Sequence, residues 1–350
     1  MLNNKQKYKL LKYISDYHNS RIENNNLVIY HKNYNTEDVL NKYYFDSKNS
    51  NNLDKYNIST TLKYNISSID STHILARYIV NKVCLKDYFK SSCGNSIVIT
   101  ATKQVAGIGT RNNIFVSPEG NLYLTAIYHT TKNFNYNILT CCVSYCIKKT
   151  VLDYIKYKFN DNKLYSYVDN SIKLKWINDL YYLKNNSKLG GILIDKIDDI
   201  NDNNQNEFFF IISAGVNLNT KPCLSNINTG NNPKIKTEAT CLSEILTEFN
   251  YNYKSHLIDI DIFSDLANYN MELCMKDLLL NSNDNLYLNL IAENMLYLKE
   301  NVIIVSSTNF NKILYNGKFE GLNNQGNAII LNKNNKYETA CQGKMVKFEI

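Results

Sequence analysis

The sequence predicts an α+β fold, a mixed β-sheet packed by helices and followed by a small all-β terminal part. Three observations carry this. The run Ser96 to Thr102 is short and almost wholly apolar, as a strand buried on both faces should be. From Asn133 to Phe159, Ile138, Leu139, Cys142, Val143, Cys146, Val151, Leu152 and Ile155 recur as an amphipathic helix requires, which predicts the helix covering the sheet. Beyond about residue 297 the texture changes to short strands, at Val302 to Val305, Ile313 to Tyr315, Gly317 to Gly321, Ala328 to Leu331 and Lys344 to Ile350.

With 350 residues, 44% of them hydrophobic, the chain can bury a large core and a smaller second one. Abundant Asn, Lys, Tyr and Ile with only 3 prolines point to nucleotide bias in the coding sequence, against which Arg21, Arg77 and Arg111 are the only arginines. A net charge of +7 suits phosphate-bearing or acidic partners. The lysines are scattered among Asn and Asp rather than gathered on one face, so DNA is not an expected partner. The 9 cysteines form no Cys-x-x-Cys pair, and Cys141, Cys142 and Cys146 fall inside the helical run, which predicts buried reduced thiols. The 5 histidines are too dispersed for a metal-ligand set. The first residues lack the apolar core of a secretory signal and no later run approaches about 18 apolar residues, so a soluble, cytoplasmic protein with no membrane partner is expected. Its basic, acid-poor start is also compatible with organelle import.

In order, residues 1–62 read as a polar, Asn-rich region with a helix-like patch (Leu10, Leu11, Ile14) and a strand-like patch (Leu27 to Tyr30). It has no helix-turn-helix pattern and no glycine-bearing wing, so no DNA-binding domain is expected. A strand from Tyr64 to Ile69 leads to Asp70-Ser71-Thr72, after which Ile74, Leu75, Tyr78, Ile79 and Val83 recur at helical spacing. Ser71 or Thr72 is a natural N-cap, and a helix N-terminus also offers free amide donors to a polar ligand. The buried strand delivers the chain to Gln104 and to a loop, Ala106-Gly-Ile-Gly-Thr-Arg-Asn-Asn-Ile-Phe-Val-Ser-Pro118, before Glu119-Gly-Asn-Leu-Tyr123 starts another strand. A Gly-x-Gly loop between strands can wrap an anion with its backbone amides, although most such pairs are simply turns.

From Lys175 to Asp195, apolar runs flank a polar Asn185-Asn186-Ser187 corner, which predicts a strand, a tight reversal and a second strand. Lys188 follows the turn beside Gly190 and Gly191, whose missing side chains allow a close approach; a solvated surface hairpin is the plain alternative. A polar insert from Asp198 to Asn206 predicts a loop, Phe208 to Leu218 a buried strand, and residues 238–280 helices.

Lys175-Trp-Ile-Asn-Asp-Leu180, a short gap, and Lys188-Leu-Gly-Gly-Ile-Leu193 resemble the central signature of the biotin protein ligases, or holocarboxylase synthetases. Ser71-Thr72, Phe115-x-Ser117-Pro118 and Gly120-Asn-Leu-Tyr123 lie at fitting distances, and the hairpin from Gly317 to Leu331 looks like that of the SH3-like β-barrel closing most such ligases. The resemblance covers roughly residues 64–350. It implies a class II synthetase-like catalytic domain over residues 63–296 and an SH3-like domain over 297–350. The implied activity is ATP-dependent: biotin and ATP give biotinyl-5′-AMP, and biotin passes to a lysine of the biotin carboxyl carrier domain of a carboxylase such as acetyl-CoA carboxylase.

By the same resemblance Lys188, Asp179 and Lys175 are the implied catalytic residues. Ser71, Thr72, His73, Gln104, Ile108, Gly109, Thr110, Lys188 and Gly191 would hold biotin. Gly107, Arg111, Asn113, Phe115, Asn178 and Asn217 would meet the nucleotide, and Mg²⁺ would be bound through the phosphates, with Asp179 either touching it or orienting the acceptor lysine. The family loop reads Gly-Arg/Lys-Gly-Arg, whereas this chain has Gly107-Ile108-Gly109-Thr110, with Arg111 one place later. The missing cations imply early release of the adenylate. Phe115 stands where Trp is common, and Ser213 replaces a Gly, which implies a narrower pocket. The alternatives are a lipoate-protein ligase, whose usual Arg-Arg-x-Ser-Gly-Gly-Gly pattern is absent, and a non-catalytic relative binding biotin or acceptor domains.

Overall fold

Runs of apolar residues too short for helices build the sheet, and the longer periodic segments cover it. The computed structural model describes residues 12, 29–35, 60–82, 85, 89, 96–198, 207–223, 238–249, 257–280 and 285–347. The patch at Leu10, Leu11 and Ile14, residues 199–206 of the expected loop and the last residues of the expected terminal strand, 348–350, lie outside them.

The main sheet has 9 strands. These are β1 (Ile29–Asn35), β2 (Thr60–Ile69), β3 (Ser96–Gln104), β4 (Leu122–Thr130), β5 (Ile172–Lys175), β6 (Asp179–Tyr182), β7 (Ser187–Asp198), β8 (Phe208–Val216) and the short β9 (Glu238–Ala239). Their order is β1-β2-β3-β4-β8-β7-β6-β5, with β9 beside β7. β2 and β3 run parallel, as do β7 and β9, and the other neighbours are antiparallel, so the sheet is mixed as expected. β1 and the first residues of β2 carry this sheet upstream of residue 63.

Strand alternation sorts side chains between two cores. On one face Tyr64, Ile66, Ile97, Ile99, Ile127, Phe209 and Ile211 pack under α1 (Thr72–Lys82), through its Leu75, Ala76 and Ile79. On the other, Leu122, Leu124, Ala126, Phe210, Ile212 and Val216 meet α2 (Tyr136–Phe159). The sequence predicts α2 as an amphipathic cover. Instead it is buried on most of its surface, Ser144, Lys148 and Thr150 included, because α5 (Ile260–Leu280) packs along it. Cys141, Cys142 and Cys146 are buried free thiols within it, as expected. The shorter helices α3 (Asn162–Ser171), α4 (Leu242–Glu248) and α6 (Asn285–Glu293) complete the covering layer.

The expected single hairpin at Lys175 to Asp195 is a three-stranded meander. Lys175 ends β5, Trp176 to Asn178 make a first turn, and Asp179 opens β6; the Asn185-Asn186 turn then leads to β7. Residues 301–347 form a second, antiparallel sheet of 5 strands: β10 (Asn301–Val305), β11 (Ile313–Leu322), β12 (Ala328–Asn332), β13 (Tyr337–Ala340) and β14 (Lys344–Lys347), ordered β13-β12-β11-β10-β14. Ile313 to Tyr315 and Gly317 to Gly321, expected as two strands, are one. Gly317 continues β11 because the backbone of β12 lies against it: a Cβ there would stand 2.2 Å from the Leu331 carbonyl oxygen. β13, with polar and charged residues, gives no alternating apolar signal. Val302, Ile304, Phe319, Ile330 and Met345 join the α2-side core, so hydrophobic packing continues from one sheet to the other. Among the described residues no helix is long and apolar enough to cross a membrane.

Candidate active site

A cleft open to solvent lies on the α1 face of the main sheet. The start of α1, the end of β3 with its loop, and the facing surfaces of β4, β8 and β7 enclose it. Ser213 occupies the centre of its floor, paired with Thr125 of β4 on one side and Leu193 of β7 on the other.

The α1 end is hydrogen-bonded throughout. Ser71 precedes the helix, its N–H donating to Asp70 Oδ1 at 2.7 Å, while the Thr72 N–H donates to Gln104 Oε1 at 2.9 Å. Two amides a helix start leaves open are thereby satisfied. Gln104 Nε2 donates to Ser117 Oγ at 2.8 Å, tying the end of β3 to the far side of its loop. Thr72 Oγ1 lies 2.8 Å from Thr125 Oγ1, which lies 2.7 Å from Ser213 Oγ, which lies 2.7 Å from His73 Nδ1. His73 Nε2 meets Asp195 Oδ2 at 3.0 Å, and Arg77 Nε meets the same oxygen at 3.4 Å. The hydrogen bond from His73 is the main influence holding the Asp195 carboxyl below its usual range.

The other end is charged. Lys188 Nζ stands 2.5 Å from Asp179 Oδ1. The pairing of β6 with β7 slips between Leu180 and Tyr181, so Leu189 is an extra residue that lets Lys188 reach the side of Gly191, opposite Asp179. Gly191 leaves room for the ion pair: a Cβ there would be 3.0 Å from Asp179 Oδ1 and 3.1 Å from Lys188 Nζ. Lys175, 7% exposed, places its ammonium 4.2 Å from the Tyr181 ring centroid and 5.9 Å from that of Tyr297. Burial pushes its pKa down to about 8, with Lys344 and Lys188 acting in the same direction and Asp179 against them. Lys344, from β14 of the second sheet, is likewise lowered, by burial first and by Lys188, again opposed by Asp179. Lys188 is paired with Asp179, and Lys175 and Lys344 lie within electrostatic reach of the same carboxylate, which leaves an excess of positive charge.

The loop after β3 joins the two ends. Gly107 lies where a Cβ would meet the Phe115 carbonyl oxygen at 2.4 Å and Ser117 Oγ at 2.5 Å, so it closes the loop on itself. Gly109 N–H donates to the Asn113 carbonyl at 2.7 Å, and between them Arg111 adopts a left-handed φ of 59°. The Phe115 ring lies over Gly215 and within 6.0 Å of Lys188 Nζ, an aromatic wall between the polar and charged ends.

Of the expected site residues, Ser71, Thr72, His73, Gln104, Ile108, Gly109, Thr110, Asn113, Phe115, Asn178, Lys188 and Gly191 all line this cleft. Asp179 is reached through Lys188, and Lys175 sits behind the pair. Arg111 is exposed and electrostatically coupled to Asp179 without lining the cleft. Gly107 supports the loop. Asn217 does not line the cleft: it is 3% exposed, its backbone N–H donates to the Leu189 carbonyl at 2.9 Å beside Lys188, and its amide donates to the Thr240 carbonyl at 2.9 Å, fastening β8 to the segment beside β9. Asn178 holds its turn by exchanging backbone and side-chain bonds with Ile192 at 2.8 and 3.0 Å. Sequence reasoning missed Thr125, Asp195 and Lys344. The first two sit on the cleft face of their strands and were findable once β4 and β7 had been given a face; Lys344 has no signal, because only the folding of the second sheet brings it to Asp179.

Residues 68–217 match the model of the Biotin/lipoate A/B protein ligase family. Over 162 residues the chain is 25% identical to the human biotin–protein ligase, a match covering 46% of this chain and 18% of that protein. The chain thus spans under a fifth of the curated relative. Its fold is similar to that of a biotin protein ligase from Aquifex aeolicus solved with biotin and ATP, with a TM-score of 0.53 and 18% identity over 81% of this chain and 97% of that one. A Leishmania major biotin protein ligase solved with biotinyl-5-AMP gives a TM-score of 0.50 and 19% identity over 79% and 97%. The resemblance carried by the sequence motifs is borne out, and so is the mixed helix-packed sheet with its small antiparallel companion.

Proposed function

We propose that this chain is an ATP-dependent biotin protein ligase, which activates biotin as biotinyl-5′-AMP and transfers it to a lysine of a biotin carboxyl carrier domain, such as that of acetyl-CoA carboxylase. One juxtaposition carries the reading: Lys188, held by Asp179 2.5 Å away, lines the same cleft as Ser71, Thr72 and Gln104. A substrate with a polar ring at one end and a carboxylate at the other fits that arrangement. Ile108, Phe115 and Leu193 lie along the cleft to receive the aliphatic chain between them.

In the first step a biotin carboxylate oxygen attacks the α-phosphorus of ATP, the bond to the bridging oxygen breaks and pyrophosphate leaves. Lys188 stabilises the charge that develops there, and Lys175, Lys344 and Arg111 offer positive charge to the phosphates. Because these cations are already in place, little reorganisation is needed when the charge appears. In the second step the acceptor amine attacks the acyl carbon, the bond from that carbon to the bridging oxygen breaks, and AMP departs with the oxygen as the amine proton passes to solvent. Asp179 is suited to orient that amine. Among the described residues no group of three or more His, Cys, Asp or Glu gathers, and Asp179 is engaged by Lys188, so those residues form no cage for Mg²⁺. The ion would arrive on the nucleotide's phosphates, as is common for Mg²⁺.

The full-length protein incubated with ATP, Mg²⁺, carrier domain and either biotin or lipoate tests this. Biotin-dependent pyrophosphate release and a single biotinylated lysine, located by mass spectrometry, are expected. Release only with lipoate, or biotin binding without labelling, would overturn the reading.

A further inference from the structure

The hydroxyl chain at the closed end of the cleft has a direction, and the direction fixes a charge state. Gln104 Oε1 accepts the Thr72 backbone N–H at 2.9 Å, which establishes that atom as the amide oxygen. Thr72 Oγ1, 3.1 Å from the same oxygen, must point its single proton there. It therefore accepts from Thr125 Oγ1 at 2.8 Å, and Thr125, its proton so directed, accepts from Ser213 Oγ at 2.7 Å. Ser213 then has no proton left for His73 Nδ1, 2.7 Å away, so Nδ1 must be the donor. His73 Nε2 faces a carboxylate, Asp195 Oδ2 at 3.0 Å, and donates as well.

We propose that His73 is a positioning residue held as an imidazolium, which with Asp195 turns Ser213, Thr125 and Thr72 so that the cleft presents hydroxyl lone pairs and selects a ligand head group bearing N–H donors. This deepens the biotin reading and rests on it. Thr72 and Ser213 line the cleft, and each already donates once and accepts once, which leaves a lone pair for the ligand. A urea or amide N–H matches that lone pair; a dithiolane ring has no proton to offer. Among the described residues, the charged groups in contact with His73 or its partner are Asp195 of β7 and Arg77 of its own helix. The Tyr136 phenol lies within electrostatic reach of both, and β4 and β8 face His73 with the non-titrating Thr125 and Ser213.

Long-range ¹H–¹⁵N spectra of histidine-labelled full-length protein at pH 7 test the charge state directly, with the His73 signals assigned by their loss in His73→Asn. Both ring nitrogens are expected to be protonated in the free protein and in the biotin complex. A bare Nδ1 would overturn the proposal, whatever the protein does with biotin. Calorimetry supplies the second arm, since His73→Asn retains an N–H donor near the Nδ1 position and His73→Leu does not. Biotin affinity should fall about tenfold in the Leu variant and stay within about threefold in the Asn variant, with ATP affinity unchanged in both. Equal loss in two folded variants would overturn the directional role. If the Leu variant fails to fold, the spectra of the unaltered protein still decide. If the unaltered protein binds no biotin, the functional reading fails while the His73 spectra stand on their own.

Discussion

The two ends of the cleft solve opposite problems. At the α1 end every named polar group has a partner within the protein, from the Thr72 amide through Gln104, Thr125 and Ser213 to His73 and Asp195. At the β6–β7 end one ammonium pairs with the Asp179 carboxylate and two more lie within its electrostatic reach, and burial lowers the charge-holding power of those two. The first end is directional and complete before any ligand arrives, which suits discrimination. The second holds charge that a phosphate would relieve, which suits chemistry. On the proposed function, selection and catalysis would be separated in space, with the Phe115 ring between them.

Lys188→Ala should break the charged end most severely. Pyrophosphate release with biotin and ATP is expected to fall about 10²–10³-fold, while calorimetric binding of desthiobiotinol, which keeps the ureido ring and lacks the carboxylate, changes little. Gly191→Val should cost about a hundredfold in the same assay by driving the ammonium of Lys188 off Asp179, in a strand position whose backbone tolerates a β-branched residue. Thr125→Val interrupts the hydrogen-bonded end at its fully buried midpoint. Biotin affinity is expected to drop about tenfold with ATP affinity unchanged, and a matching loss of both would erase the distinction between the ends.

The smallest effect is on stability. Lys175 titrates near 8 in the fold and at 10.5 when unfolded. Between those values the unfolded chain holds a proton that the native state has released, so this residue makes the free protein more stable as pH rises from about 8 to 10.5, and its buried charge costs stability below 8. Lys175→Met should therefore stabilise the free protein at pH 7 by about 1–2 kcal/mol, the lost Tyr181 contact offsetting part of the relief, and flatten the rise above pH 8. Thermal unfolding at pH 7 and 9 measures both.

Much of this site was legible because its residues lie in local signatures. Ser71-Thr72 announces a helix start, and Lys188-Leu-Gly-Gly places a cation beside glycines in a strand. What the sequence hid is what long-range pairing decides. The meander at Lys175 to Asp195 reads as one hairpin because Trp176 to Asn178 contains no Gly or Pro to mark a turn; Asn178 fixes that turn instead by bonding to Ile192. Asn217 follows a strand that runs along the cleft, yet its amide is taken up by Thr240, a contact no local pattern foreshadows. Lys344 is one lysine among many until β14 brings it to Asp179.

The indole nitrogen of Trp176, in the turn that presents Asp179, donates to the Gly326 carbonyl at 2.9 Å, and Gly326 belongs to the turn between β11 and β12. The same turn presses on the start of α2, since a Cβ on Gly326 would stand 2.4 Å from the Ile138 nitrogen. The second sheet therefore acts as a brace for the first. A polypeptide truncated after residue 296 would strand a buried indole donor, expose the apolar side of α2 and lose Lys344, so the part that holds the main sheet should not be separable as a stable fragment.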